Sequence, residues 1–283
     1  MSKSGFNGLT VAAFESRMAD EMTRLIERHG GRPLVAPALR EVPLEDNAEA
    51  LRFGEQLLAG QVDMVILLTG VGTRALVGVL QTRCPLDTIT AALSRTCLVA
   101  RGPKPMAALK ELGLTPQITV PEPNTWRDIL QALDTRRPVK GLHVAVQEYG
   151  VSNAELLAAL GGRGARVTRV PVYRWALPED TGLLKQALDA ILAGQVDVLL
   201  ITNAAQVDHV MQVLEQDKKT DRFRQALQRV VTASIGPTAS ERLRSYGLPV
   251  DLEPSHPKMG ILVKETSERA HVLLHAKRSR RGD

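Results

Sequence analysis

The chain has 283 residues, of which 44% are hydrophobic and 24% charged, so at about 150 residues per domain we expect two globular domains. The apolar runs are far shorter than the roughly 20 residues that span a bilayer, which excludes a membrane-spanning helix. The net charge of +5 falls to +2 without the last seven residues, and only 3% of residues are aromatic, so a nucleic-acid surface is not expected.

Targeting and metal signals are missing from the sequence. The first seven residues are polar and lack the apolar core of a signal peptide, so we expect a cytoplasmic protein. Cys84 and Cys97 form no pairing motif and are expected to be ordinary thiols. The histidines are scattered without ligand spacing, and we therefore expect no metal site.

Strand patterns and helical patterns alternate from the start of the chain. Leu9–Phe14 is typical of a strand, Arg17–His29 has apolar residues at helical spacing, and two glycines then stop the helix. Further strands are predicted at Pro33–Ala38, Val62–Leu68, Thr96–Ala100, Leu142–Val146, Val167–Val172, Val196–Ile201 and Val230–Ile235. The alternation predicts an α/β fold in which helices cover parallel sheets.

The chain also repeats itself. Leu58–Asp63, with the sequence Leu-Ala-Gly-Gln-Val-Asp, recurs unchanged as Leu192–Asp197, at an offset of 134 residues. Three shorter pairs keep nearly that offset: Gly8-Leu9 with Gly141-Leu142, Gly102-Pro103 with Gly236-Pro237, and Gly113-Leu114 with Gly247-Leu248. A period of this size indicates a duplicated domain and not a solenoid.

Two proline-containing stretches, Pro37–Pro43 and Val170–Pro178, lie at matching places in the repeats and are typical of connectors. If the chain crosses between the two lobes twice, one lobe must be built from two separate stretches of the sequence. We expect lobe 1 at residues 1–38 and 177–265, lobe 2 at 44–170, linkers at 39–43 and 171–176, and a tail at 266–283. A cleft between the lobes would follow.

Four strand-to-helix turns form a set of candidate binding elements: Thr69-Gly70, Arg101-Gly102-Pro103, Thr202-Asn203 and Gly236-Pro237-Thr238. Each follows the carboxyl end of a predicted strand, which is the edge where open parallel sheets bind ligands. Helix amino termini there carry unsatisfied N–H donors and partial positive charge. These turns are therefore predicted to bind an anionic ligand with several carboxylates or phosphates.

Two competing interpretations stay open. Gly70-Val-Gly72-Thr-Arg-Ala75 resembles a dinucleotide fingerprint, although the acidic residue expected about twenty positions later at a strand end is replaced by Asp87 in loop-like sequence. The basic end, with Lys277, Arg278, Arg280 and Arg281, is expected to be a solvated tail, with a DNA contact as the alternative.

Six segments, taken in order, resemble the uroporphyrinogen-III synthase family from about Gly8 to Val263. They are Leu67-Leu-Thr-Gly-Val-Gly-Thr-Arg74, Gln147-Glu-Tyr-Gly150, Val170-Pro-Val-Tyr-Arg-Trp175, Ile201-Thr-Asn-Ala204, Ile235-Gly-Pro-Thr-Ala239 and Tyr246-Gly-Leu248. The resemblance implies two flavodoxin-like lobes joined by a two-stranded ladder. It also implies a monomer without cofactor or metal, which cyclises hydroxymethylbilane with loss of water and inversion of ring D. A two-lobed binding or sensor protein for an anionic small molecule is the alternative.

The resemblance also implies roles for individual residues. Tyr173 matches the family's tyrosine in the inter-lobe segment, where a phenol, protonated at neutral pH, could protonate or orient the leaving hydroxyl. Thr238 matches a threonine-rich turn, but Ala239 stands where a second threonine is frequent. We therefore expect the main chain of Gly236–Thr238 to bind a carboxylate, with Ser240 as a substitute donor. Arg17 and Arg101 are further candidates for the substrate's acidic side chains.

Overall fold

The computed structural model describes residues 5–44, 47–148, 150 and 152–279. Its strands are β1 (Thr10–Ala13), β2 (Arg32–Val35), β3 (Arg40–Pro43), β4 (Met64–Leu67), β5 (Cys97–Ala100), β6 (Ile118–Thr119), β7 (His143–Gln147), β8 (Arg166–Val170), β9 (Tyr173–Ala176), β10 (Val198–Ile201) and β11 (Val231–Ser234). Its helices are α1 (Ala19–Arg28), α2 (Ala48–Leu58), α3 (Gly70–Gln81), α4 (Leu86–Ser94), α5 (Pro103–Glu111), α6 (Trp126–Arg136), α7 (Ala154–Gly162), α8 (Gly182–Leu192), α9 (Ala204–Gln216), α10 (Thr220–Leu227), α11 (Pro237–Ser245) and α12 (Met259–Ser279).

The chain divides into two compact units. Residues 1–40 and 176–283 form the first unit, and residues 41–175 form the second. Each unit contains a parallel sheet with a hydrophobic core on both faces. Central strands such as β4 and β10 are buried along their whole length, which explains why they read as continuous apolar runs and not as alternating patterns.

Both sheets have flavodoxin-like strand order. The first unit has the order β11-β10-β1-β2, and the second has β6-β5-β4-β7-β8. If the strands of each repeat are numbered from β1 and from β7, leaving out β3 and β9, both sheets read 2-1-3-4, and β6 adds a fifth strand to the second. A two-stranded sheet of β3 and β9 lies where the chain passes from one unit to the other. The predicted fold class is confirmed.

The duplication is visible strand by strand. β1 through β5 begin at positions 10, 32, 40, 64 and 97, and β7 through β11 begin at 143, 166, 173, 198 and 231. Each sheet nevertheless combines the first two strands of one repeat with later strands of the other. The first sheet, for example, pairs β1 with β10, which comes from the second repeat.

The repeated hexapeptide has the same structural task in both units. Gly60 and Gly194 adopt positive φ values of 68° and 72° just after α2 and α8, a conformation that favours glycine and ends the helix. The carboxylate of Asp63 then accepts the backbone N–H of His143 at 2.8 Å, and that of Asp197 accepts the N–H of Thr10 at 2.9 Å. Each aspartate thus ties the start of one strand to its neighbour across the repeats.

The segment assigned to a C-terminal tail from residue 266 continues α12 as far as Ser279. The buried positions of α12 are Leu262, Val263, Thr266, Ser267, Ala270 and Leu274. Half of them are threonine, serine or alanine, so the sequence shows only a weak apolar stripe there. Arg280 and Arg281 lie outside the described residues.

Two basic residues of this predicted tail are held by ion pairs within the first unit. Lys277 Nζ lies 2.6 Å from the Asp251 carboxylate and donates to the Val230 carbonyl at 2.8 Å, while Arg278 pairs with Asp197 at 2.8 Å. This positive charge is matched by carboxylates of the same unit, which weakens the case for a DNA contact at this end.

Within the described residues, none of the helices combines the length and the apolar character needed to cross a membrane.

We expect Lys277→Ala to lower the free energy of unfolding by about 1–3 kcal/mol, because it removes the cation that pairs with the mostly buried Asp251 carboxylate and donates to the Val230 carbonyl. The side chains of Lys277 and Asp251 are only 13% and 19% exposed. Arg278→Ala is the matched control and should cost less than about 1 kcal/mol, since the side chain of Arg278 is 40% exposed. Urea unfolding followed by circular dichroism measures both, and equal losses would contradict the assignment.

Candidate functional site

Thr69 and Tyr173, which sequence reasoning selected separately, lie together at the carboxyl-end edge of the second unit's sheet. Thr69 is the N-cap of α3, and its Oγ1 accepts the backbone N–H of Gly72 at 2.9 Å. The Tyr173 hydroxyl lies 3.5 Å from the same Oγ1. The Tyr173 ring is buried and packs edge-to-face against Trp175, with the ring centroids 5.5 Å apart. Packing therefore fixes the position of the phenol.

A buried glutamine holds the turn that carries Thr69. Gln147 ends β7, and its Oε1 accepts the backbone N–H groups of Leu68 at 3.2 Å and Thr69 at 3.3 Å. A side chain at Gly72 would collide with the Gln147 amide, so this close approach requires glycine. The main-chain donor of Thr69 is consequently already used. Among the described residues, the N–H groups of Gly70 and Val71 at the start of α3 have no partner.

The corresponding turn of the first unit is held by a glutamine from a different place. Gln206 belongs to α9, and its Oε1 accepts the N–H groups of Thr202 at 3.0 Å and Asn203 at 3.3 Å. Asn203 caps α9 by accepting the N–H of Ala205 at 2.9 Å. The predicted donors Thr202 and Asn203 are therefore satisfied internally through their main chains. The N–H of Ala204 is left without a partner among the described residues.

A series of hydrogen bonds that was not predicted from the sequence continues from Thr202. Gln206 Nε2 donates to Thr202 Oγ1 at 2.8 Å, and the Thr202 hydroxyl donates to the carboxylate of Glu15 at 2.5 Å. Glu15 follows β1 directly and is half-buried. Its position just beyond a predicted strand was visible in the sequence, but the acceptor role depends on a contact across 187 residues.

The two proline-initiated helices differ in how open their amino termini are. In α5, Pro103 and Pro105 lack N–H donors, and a Cβ on Gly102 would lie 3.0 Å from the side chain of Asn124. In α11, Gly236 has more room, because the nearest neighbour of such a Cβ is Pro257 at 3.5 Å. The α11 terminus is therefore the less obstructed of the two.

At α11 the predicted turn leaves main-chain donors without partners in the described part of the chain. Thr238 is exposed, and the N–H groups of Thr238 and Ala239 have no partner among the described residues. The buried Ser240 Oγ is also unpartnered in the described structure. Pro237 occupies the first helical position, where a missing N–H costs nothing. Arg17 is exposed after β1 in the first unit, and Arg101 is half-buried after β5 in the second.

Charged and titratable groups near these edges are mostly paired. The Glu148 carboxylate raises the pKa of Arg169 through hydrogen bonds as short as 3.0 Å. Burial, followed by a 2.9 Å hydrogen bond to Asp208, raises the pKa of Tyr246. Burial likewise raises the pKa of the Cys97 thiol, as expected for a structural cysteine.

The described residues contain no cluster of three or more side chains placed to hold a metal ion.

The glycines of the fingerprint-like segment serve packing. A Cβ on Gly70 would meet the carbonyl oxygen of Lys104 at 2.5 Å, and the space beside Gly72 holds the Gln147 amide. In a dinucleotide site, the second glycine instead leaves room for the pyrophosphate. These contacts disfavour the nicotinamide or flavin alternative.

Comparison with known proteins assigns the chain to a family. The family described as uroporphyrinogen-III synthase HemD matches residues 20–264. A protein named "Putative uroporphyrinogen-III synthase" from Methanothermobacter thermautotrophicus is 31% identical over 231 residues, covering 81% of this chain and 85% of that protein. The uncharacterized protein YjjA of Bacillus subtilis is 27% identical over 268 residues, covering 93% of this chain and 97% of YjjA.

A solved structure agrees with the sequence comparisons. A mutant uroporphyrinogen III synthase from the extremely thermophilic bacterium Thermus thermophilus is similar with a TM-score of 0.71 at 27% identity, covering 94% of this chain and 99% of that one. The two-unit α/β fold and the match along most of the sequence lead to one conclusion. The chain belongs to the uroporphyrinogen-III synthase HemD family.

Proposed function

We propose that this protein is a uroporphyrinogen-III synthase, a cyclising lyase that converts linear hydroxymethylbilane into uroporphyrinogen III with loss of water and inversion of ring D. The observation that carries this proposal is the pairing of Tyr173 with Thr69 beside unpaired N–H donors of α3. It supplies a proton donor and anion-binding groups at one sheet edge. Membership in the HemD family supplies the reaction.

Substrate binding is proposed to use main-chain donors at helix starts. The acetate and propionate groups of the substrate are anions, and helix amino termini favour anions through free N–H groups and the helix dipole. The described groups available for this are the N–H groups of Gly70 and Val71 in one unit and of Thr238 and Ala239 in the other. Arg17 and Arg101 would add charge-assisted contacts near these edges.

The proposed chemistry begins with departure of the terminal hydroxyl. The Tyr173 phenol donates a proton to it, the carbon–oxygen bond breaks, and water leaves together with formation of an azafulvenium cation. Thr69 Oγ1 already accepts the Gly72 N–H, so its own proton is free to stabilise the phenolate. The cation closes unaided to the uninverted ring. The enzyme must therefore direct attack at the substituted carbon of ring D, which gives a spiro intermediate. The bond from that carbon to the ring C methylene then breaks, and the methylene bonds to the unsubstituted α-carbon of ring D. Loss of a proton from the rearranged ring completes the product and balances the proton supplied.

Freshly prepared hydroxymethylbilane should give predominantly the type III isomer with the protein and the type I isomer without it, because only a positioned substrate inverts ring D. Chromatographic separation of the two isomers after oxidation measures the outcome. Type I product at the uncatalysed rate would contradict the proposal. If the protein also binds the substrate tightly, that result favours a binding or sensor protein.

Tyr173→Phe should lower kcat by about 100-fold, which is the low end of general acid catalysis, with a smaller change in KM. The matched control is Tyr246→Phe, which removes another tyrosine hydroxyl with a 2.9 Å hydrogen bond but lies on a different element. Steady-state kinetics of the two variants, compared at equal concentrations of folded protein, measures the loss of kcat in each. Activity of the Tyr173 variant within about twofold of the parent would remove the acid role.

Ala239→Pro should raise KM about tenfold, because it deletes one N–H donor to a carboxylate, worth about 1.4 kcal/mol. The repeat-equivalent residue in α5 is Pro105, so a proline is compatible with this helix start. Ala239→Ser keeps the N–H and shows how much of the change comes from side-chain bulk. In the parent, added salt should also raise KM. If KM is unchanged in Ala239→Pro and also unchanged when salt is added to the parent, carboxylate binding at α11 is contradicted.

A further inference from the structure

Glu15 is a negatively charged side chain at the sheet edge where the other candidate groups are main-chain N–H donors. It follows β1 at the carboxyl-end edge of the first unit, and its carboxylate accepts the Thr202 hydroxyl and, at 3.3 Å, the Met18 N–H. No described Lys, Arg or His side chain pairs with it within 4 Å. A carboxylate has about four acceptor positions, so roughly two remain unused on this half-buried group.

The duplication provides an internal comparison for Glu15. The equivalent residue of the second repeat is Glu148, which follows β7 as Glu15 follows β1. Glu148 is neutralised by Arg169 of β8, and its side chain is only 6% exposed. Arg169 pairs in register with Val146 of β7, and the residue that pairs at the same point with Ala13 of β1 is Val35. The countercharge present in one repeat is therefore a valine in the other.

Hydrogen bonds orient the Glu15 carboxylate. Gln206 Oε1 is fixed by two backbone N–H groups, so its Nε2 donates to Thr202 Oγ1. The Thr202 oxygen is then occupied as an acceptor, and its proton points to Glu15. Gln206 is only 1% exposed, so water does not compete for the hydrogen bonds that it makes to Thr202. A negative charge held this way needs little reorganisation when positive charge develops beside it.

We propose that Glu15 accepts a pyrrole N–H of the substrate and stabilises the cationic azafulvenium formed when water leaves. This inference rests on the proposed function. A carboxylate repels the acetate and propionate groups, so its complement on such a substrate is the set of pyrrole nitrogens, which are N–H donors and carry the positive charge of the intermediate. Glu15 would thus stabilise the positive charge that develops during the reaction and would not contribute to binding the carboxylates of the substrate.

Glu15→Gln tests the role, because it keeps the shape and removes the charge. We expect kcat to fall at least tenfold while KM stays equal or decreases, since removing a negative charge eases binding of a polyanion. The share of type I isomer in the product should rise as spontaneous closure competes. Glu15→Asp, which keeps the charge on a shorter side chain, should recover part of kcat.

Asp20→Asn is the charge-matched control, an exposed carboxylate in the first turn of α1 that should leave kcat within twofold of the parent. If Glu15→Gln keeps kcat within twofold, or if kcat falls equally in Asp20→Asn, the role of Glu15 is overturned. A fall in kcat accompanied by a proportional rise in KM and a lower melting temperature would indicate a structural role and also overturn it. The parent assayed in parallel separates the two proposals, because absence of type III product from the parent refutes the proposed function itself.

Discussion

The candidate site depends on how main-chain N–H groups are satisfied where a buried strand turns into a helix. At such a turn the first N–H groups have no partner within the helix, and burying them unpaired is costly. Gln147 and Gln206 each accept two of these donors through one amide oxygen. This fixes the turn without adding charge. The next N–H groups, which the glutamines do not reach, have no partner among the described residues.

The two repeats meet this requirement with different residues. In the second unit the glutamine comes from the end of a strand and requires a glycine at position 72 to make room. In the first unit position 206, the counterpart of position 72, carries the glutamine itself, and the strand end has the buried Phe14 where the other repeat has Gln147. A single substitution at one of these places would create either a clash or unpaired donors. In each repeat the glutamine and the residue that leaves room for it are therefore structurally coupled.

Local pattern was enough to predict the duplication and eight of the eleven described strands, but not β3, β6 or β9. The run Met64–Leu67 and the repeated Leu-Ala-Gly-Gln-Val-Asp segment depend on burial and helix termination, which are local properties. The features that were missed depend on contacts between distant residues. Gln147 reaches a turn 79 positions away, and Glu15 meets Thr202 across 187 residues. Neither spacing has a periodic signature, and the extent of α12 was not predicted because half of its buried positions are threonine, serine or alanine.

The proposed reaction needs a proton donor and a cation-stabilising group of different chemical kinds. A proton donor beside carboxylate-binding turns must be neutral before it reacts, since a charged carboxylate there would compete with the substrate for the N–H donors. A phenol meets that condition at neutral pH, and the Tyr173 ring packs edge-to-face against Trp175. A group that stabilises the cation must instead be charged throughout, which requires acceptor sites that the protein leaves unneutralised. Replacing an arginine position by Val35 produces that condition at Glu15, whereas Glu148 beside Arg169 cannot provide it.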